Sequence, residues 1–167
     1  MKTKKRKLAA RIAPRCILVP VDFSESSLAA LPHALALAQR YQAQLVLLHV
    51  IEPFHADMFM DTTESQREVR AVAHERLTKL ADATKKVWPR TGRELRAGHP
   101  VTTIIALAKR TNADLIVMST HGRTGIQRAF IGSVAGRVVR HATCSVLAGS
   151  LNCCRAFMQN QIVIGLE

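Results

Sequence analysis

The chain lacks any run of about 18 consecutive apolar residues, the length that a membrane-crossing helix needs, so no span is expected. A secretory leader is also missing from the expected reading, because Leu8 to Ile12 is broken by Arg11 and is too short for a leader core. Cysteine is sparse. Cys16 and Cys144 fall inside apolar runs, where cysteine behaves as a small hydrophobe. Cys153 and Cys154 are adjacent and have no second C-x-x-C-type pair, which argues against zinc. No H-E-x-x-H or comparable ligand spacing occurs, so no transition-metal site is expected. This cysteine usage predicts a reducing, cytoplasmic setting.

Acid is absent from residues 1–15, which hold Lys2, Lys4, Lys5, Arg6, Lys7, Arg11 and Arg15. Taking these seven from the net charge of +12 leaves +5, so the body is only mildly basic. Such an arm can touch anionic polymers or lipid, but a solvated, disordered arm over 1–14 is the simpler reading. Nucleic acid is therefore not expected among the partners.

Two familiar phosphate signatures are missing as well. There is no G-x-x-x-x-G-K-[ST], which excludes a P-loop protein, and no G-x-G-x-x-G after the first strand, which disfavours a dinucleotide fold. Nor does Asp22-Phe23-Ser24-Glu25 contain a glycine for the phosphate loop of an adenylyl-transfer ligase.

What the chain does have is a regular alternation. Cys16 to Val21, Leu45 to Ile51, and Leu115 to Met118 are continuous apolar runs, as expected of strands covered on both faces. Arg93 to Ala97 alternates polar and apolar, as an edge strand does, and Cys144 to Ala148 is a last apolar strand. Helical spacing predicts helices near 25–41, 65–87, 101–111 and 133–141, with Pro32 forcing a kink or a late start in the first. Five strands alternating with four helices specify a single α/β domain: an open, mostly parallel five-stranded sheet with helices on both faces. Ligands of such sheets bind beyond the strand carboxyl ends, where the strand order reverses.

One stretch stands out there. Met118-Ser119-Thr120-His121-Gly122-Arg123-Thr124-Gly125 follows the fourth strand, and Gly132-Ser133 opens the next helix. Glycines let backbone N–H groups approach a ligand, and a helix N-terminus adds its dipole, so the stretch reads as a phosphate cradle. Tight turns without a ligand would use the same glycines. Asp22, at the end of the first strand, can accept two hydroxyl hydrogen bonds or cap the following helix. His121 has no nucleophile beside it in the sequence, and no catalytic residue is assigned.

Ile17-Leu18-Val19-Pro20-Val21-Asp22-Phe23-Ser24, Leu47-Leu48-His49-Val50 and Ala113-Asp114-Leu115-Ile116-Val117-Met118 resemble segments of the universal stress proteins. Ser119-Thr120-His121-Gly122, nine further residues, then Gly132-Ser133-Val134 resemble the G-x-x-G, nine residues, G-[ST] motif of the family's nucleotide-binding branch, with Ser119 in place of the first glycine. The resemblance implies a domain over 15–149, strand order 3-2-1-4-5 (the adenine nucleotide alpha hydrolase-like arrangement) and bound ATP or a related adenine nucleotide. Mg²⁺ would be held through the phosphates rather than by named side chains. Asp22 would meet the ribose hydroxyls or the adenine edge, and Pro20, Val21 and Val50 would line the adenine pocket. Gly122, Arg123, Gly125, Gly132, Ser133 and Val134 would hold ribose and phosphates, with Met118 and Ser119 at the strand end beside them.

The family's role implies a binding protein of the stress response, not an enzyme, acting by nucleotide-dependent association with an unidentified regulatory partner. The family's dimer pairs the last strand, Cys144 to Ala148, and an apolar sheet edge suits that. Residues 150–167 form an atypical tail. A nucleotide-free dimeric interaction module of the same fold is the alternative.

Overall fold

The computed structural model describes residues 13–52, 63–120 and 132–149. The described chain runs β1 (Cys16–Pro20), α1 (Glu25–Leu28), α2 (Leu31–Tyr41), β2 (Gln44–Ile51), α3 (Thr63–Val87), β3 (Thr91–Ala97), α4 (Pro100–Arg110), β4 (Leu115–Ser119), α5 (Ser133–His141) and β5 (Ser145–Gly149). All four strand pairings are parallel, in the order β3-β2-β1-β4-β5. The expected sheet and its order are both present.

The helix expected over 25–41 is two helices. Proline at position 32 has no N–H to give the carbonyl of Leu28, so α1 ends there and α2 begins afresh with Pro32 in its first turn. Tyr41 ends α2, and Gln42 takes a left-handed conformation (φ 56°) that releases the chain toward β2.

Strand alternation divides the core into two layers. Ile17, Val19, Leu45, Leu47 and Val117 face α2 and α3, meeting Leu31, Leu35, Leu77 and Leu80. Leu18, Val46, Leu48, Ile116 and Met118 face α4 and α5, meeting Val101, Ile104, Leu107 and Val138. Because β1, β2 and β4 are covered on both sides, their central positions are continuously apolar, with polar residues only toward the ends (Gln44, His49, Ser119). β3 lies at the sheet edge, and its alternation has a visible purpose. Leu95 packs toward the α2–α3 layer, while Glu94 lies between Arg96 and, on α4, Arg110, at 2.7 and 3.1 Å.

The edges of β1 and β4 are tied at their amino ends by Asp114. Its Oδ2 accepts the backbone N–H groups of Arg15 (2.8 Å) and Cys16 (3.1 Å). At the carboxyl ends, β1 leads to α2 on one face while β4 leads to α5 on the other. This divergence opens a crevice between neighbouring strands.

Candidate nucleotide crevice

The β1 side of the crevice is a compact knot of hydrogen bonds written in the segment 21–27. Val21 N–H donates to Leu48 O (2.8 Å), carrying the strand pairing one residue past β1. Asp22 follows, half-buried, and its Oδ1 accepts from the backbone N–H (3.0 Å) and the hydroxyl (2.5 Å) of Ser24. Ser24 is the N-cap of α1, its Oγ accepting from Ser27 N–H at 3.2 Å. Buried Ser27 returns the contact, accepting Asp22 N–H at 3.2 Å. The capping of α1 therefore falls to Ser24. Asp22 orients the cap and sits at the crevice rim.

Phe23 makes the turn between them at φ 61°, a left-handed conformation that a bulky residue seldom adopts. Its ring is held from two sides. The His49 ring lies with its centroid 4.5 Å away, and the Arg76 guanidinium carbon stands 4.5 Å from the Phe23 centroid. His49 Nδ1 is 2.8 Å from Val21 O; a carbonyl only accepts, so Nδ1 donates in this contact. Residue patterns alone did not bring Phe23, His49 and Arg76 together, although a histidine within a buried strand was a signal. Phe23 thus supplies a positive-φ turn after β1 without glycine.

On the β4 side, Met118 and Ser119 are both buried, and Ser119 pairs with Gly149 inside the regular sheet. Ser119 is not among the residues of positive φ, so serine at this place in the glycine motif costs no backbone strain. Gly132 then closes the crevice mouth. Its N–H donates to Thr120 O at 2.7 Å, and a Cβ at this position would stand only 2.6 Å from that same oxygen. Only glycine lets α5 start this close to the end of β4. Gly132 is the N-cap of α5 and makes no side-chain cap bond, and Ser133 is the exposed first helical residue rather than the cap. First-turn N–H groups of a helix have no intrahelical acceptor and carry the positive dipole end, which suits an anion.

Of the other candidate positions, Pro20 and Val50 are half-buried at the strand ends, and Val134 packs on the α4–α5 layer. The Val21 side chain is only 4% exposed and belongs to the α2–α3 core, so its backbone faces the rim more than its methyl groups do. Gly122, Arg123 and Gly125 lie outside the described residues. Helix α1 rests against β4, bringing the Asp22–Ser27 knot and the end of β4 to the same crevice. Among the described residues there is no group of three or more His, Cys, Asp or Glu side chains placed to hold a metal ion. A Mg²⁺ carried by nucleotide phosphates needs few protein ligands, and Asp22 is a half-buried carboxylate at the end of β1.

Residues 14–148 match the model of the universal stress protein family. The chain belongs to the universal stress proteins. A curated family member from Methanocaldococcus jannaschii is 34% identical over 134 residues, covering 78% of this chain and 79% of that one. Among solved structures, the universal stress protein UspA from Lactobacillus plantarum superposes with a TM-score of 0.69 at 32% identity, covering 80% of this chain and 95% of that one. A universal stress protein solved in complex with cAMP gives 0.63 at 26% identity, with coverage of 81% and 97%. Some structures similar to this universal stress protein thus hold an adenine nucleotide.

Proposed function

We propose that this universal stress protein binds an adenine nucleotide, ATP with Mg²⁺ on its phosphates, in the crevice between the ends of β1 and β4. One observation carries the reading. The sheet places β1 beside β4, so the Asp22 knot and the start of α5 border the same opening from opposite sides. In this reading Asp22 meets the ribose hydroxyls or adenine edge, with Pro20, Val21, Val50, Met118 and Ser119 around the base. Gly122, Arg123, Gly125, Gly132, Ser133 and Val134 take the ribose and phosphates. The complex with cAMP formed by a similar family member supports the ligand class.

The protein then acts as a binding component of the stress response in the cytoplasm, associating as a homodimer and with a regulatory partner according to nucleotide state. It is not read as an enzyme. Binding to the folded state alone raises stability by about 2.7 kcal/mol when ATP is at 100 times its dissociation constant. Millimolar ATP should therefore raise Tm by several degrees in a thermal-shift assay, and native mass spectrometry should find nucleotide on freshly purified protein. An unchanged Tm and an empty crevice would overturn the proposal.

The nucleotide-free module remains the second reading, because close packing against Thr120 already accounts for Gly132 without a ligand. Ser133→Asp separates the two. A carboxylate in the first turn of α5 favours the helix but repels phosphate. Loss of the ATP shift with the apo Tm held supports nucleotide binding by this helix start.

A further inference from the structure

The fold sorts charge along the sheet axis in a way that the sequence conceals. The long helices run antiparallel to the strands they follow, so the carboxyl ends of α2, α3, α4 and α5 collect on the face opposite the crevice, beside the strand amino ends. There α2 ends in Arg40, α3 in Lys85 and Lys86, α4 in Lys109 and Arg110, and α5 in Arg140 and His141. The segments entering β1 and β3 add Arg15 and Arg90, both exposed. The other end is mixed: Asp22, Glu25, Glu52 and Glu64 lie at or near the crevice side, together with Arg67, Arg70 and Arg96. On the basic face, Asp114 is engaged with two backbone N–H groups, and nearby Glu94 is bound by two arginines. Among the described residues, Asp82, one turn before Lys85, is the other acid close to it.

Favourable placement of cations at helix ends accounts for part of this pattern. Arg90 belongs to it too, since its Nη1 donates to the carbonyl of Gln42, the C-cap of α2, at 2.6 Å. It does not account for Arg15, which is exposed and outside any helix. Five strands at about 4.8 Å spacing make the face roughly 19 Å wide, before the helices on either side. A cationic surface of that width spans several phosphates of a nucleic acid strand. An anionic membrane fits less well. Among the described residues, the exposed large apolar side chains near this face are Tyr41 and Val139, on opposite helix layers, and these two form no continuous patch to enter lipid.

We propose that this basic face binds the phosphate backbone of nucleic acid without sequence preference, at a site separate from the nucleotide crevice. Tyr41, 44% exposed beside Arg40, offers a ring on which an unstacked base can lie. This reverses the expectation drawn from the basic arm by itself.

The test is fluorescence anisotropy of the full chain with a labelled 20-nucleotide single-stranded RNA of mixed sequence. With four phosphates neutralised, affinity should fall about fifty-fold between 50 and 200 mM salt. The variant K85Q/K86Q/K109Q/R140Q should weaken binding at least tenfold and flatten the salt dependence, while R67Q/R70Q, on the amino-terminal half of α3, should not. A second variant with Gln at the six basic positions of residues 2–11 reports the contribution of the arm. Should the face variant fold poorly, acetylation of the unaltered protein decides: RNA should protect Lys85, Lys86 and Lys109 but not Lys79. The proposal is overturned by no RNA binding at 50 mM salt, by loss of binding only in the arm variant, by absence of lysine protection, or by binding to vesicles with 30% phosphatidylglycerol but not to RNA.

Discussion

Single backbone atoms govern what is tolerated at the crevice. Thr120 O accepts Gly132 N–H and at the same time leaves no room for a Cβ, so one oxygen both fixes the start of α5 and selects glycine. Gly132→Ala should destabilise the fold by about 1–3 kcal/mol, the usual range for overpacking a close contact. Urea unfolding without nucleotide measures it, and an unchanged midpoint would show that α5 can move away freely. Phe23 has the opposite arrangement. It is held at φ 61° by contacts to His49 and Arg76, so its side chain stabilises a turn that its backbone disfavours. Asp22 was legible in the sequence as a crevice residue. The Ser24–Ser27 knot that sets its orientation was legible only as a run of capping residues, because hydrogen-bond partners depend on the exact path of the turn.

Each element's burial pattern states how it is covered. The continuous apolar runs of β1, β2 and β4 predicted their central places, and the alternation in β3 predicted an edge. β5 is different: it reads as apolar, yet its residues are exposed or half-buried. Leu147 is 41% exposed on β5, and Val139 is 47% exposed on the helix packed beside it. An uncovered strand edge with exposed apolar side chains suits pairing with a second copy, as proposed above. Leu147→Glu should shift the protein toward monomer in light scattering coupled to size exclusion, with little change in the circular dichroism spectrum. A variant that remains fully dimeric would place the interface elsewhere.

At the scale of the whole molecule, the two ends of the sheet have different chemistry. The crevice end carries charges of both signs and a helix start; the other end carries helix carboxyl termini, a preponderance of cations and two thiols. Burial raises the Cys16 thiol above its ordinary pKa, more than its hydrogen bond to Thr111 lowers it, and burial likewise raises Cys144. A thiol that holds its proton more tightly when folded stabilises the native state below its unfolded pKa, and that contribution is lost as pH rises toward the folded value. Stability should thus fall above about pH 8.5, the ordinary range of thiol ionisation. Cys16→Ala should reduce this alkaline slope in urea titrations between pH 7.5 and 9.5; an identical slope would assign it to other groups.

The sequence by itself determined the α/β class, the buried and edge characters of four strands, the break at Pro32 and the family. These are properties of short segments, set by periodicity, by the missing proline donor and by motif spacing. Tertiary structure decided which segments meet. Only the pairing of β1 with β4 creates the crevice, and only the approach of α5 to Thr120 distinguishes Gly132 from a glycine reserved for a ligand. The same holds for charge. Arg40, Lys86, Lys109 and Arg140 are far apart along the chain, and they share a face because parallel strands oblige every returning helix to end on the same side.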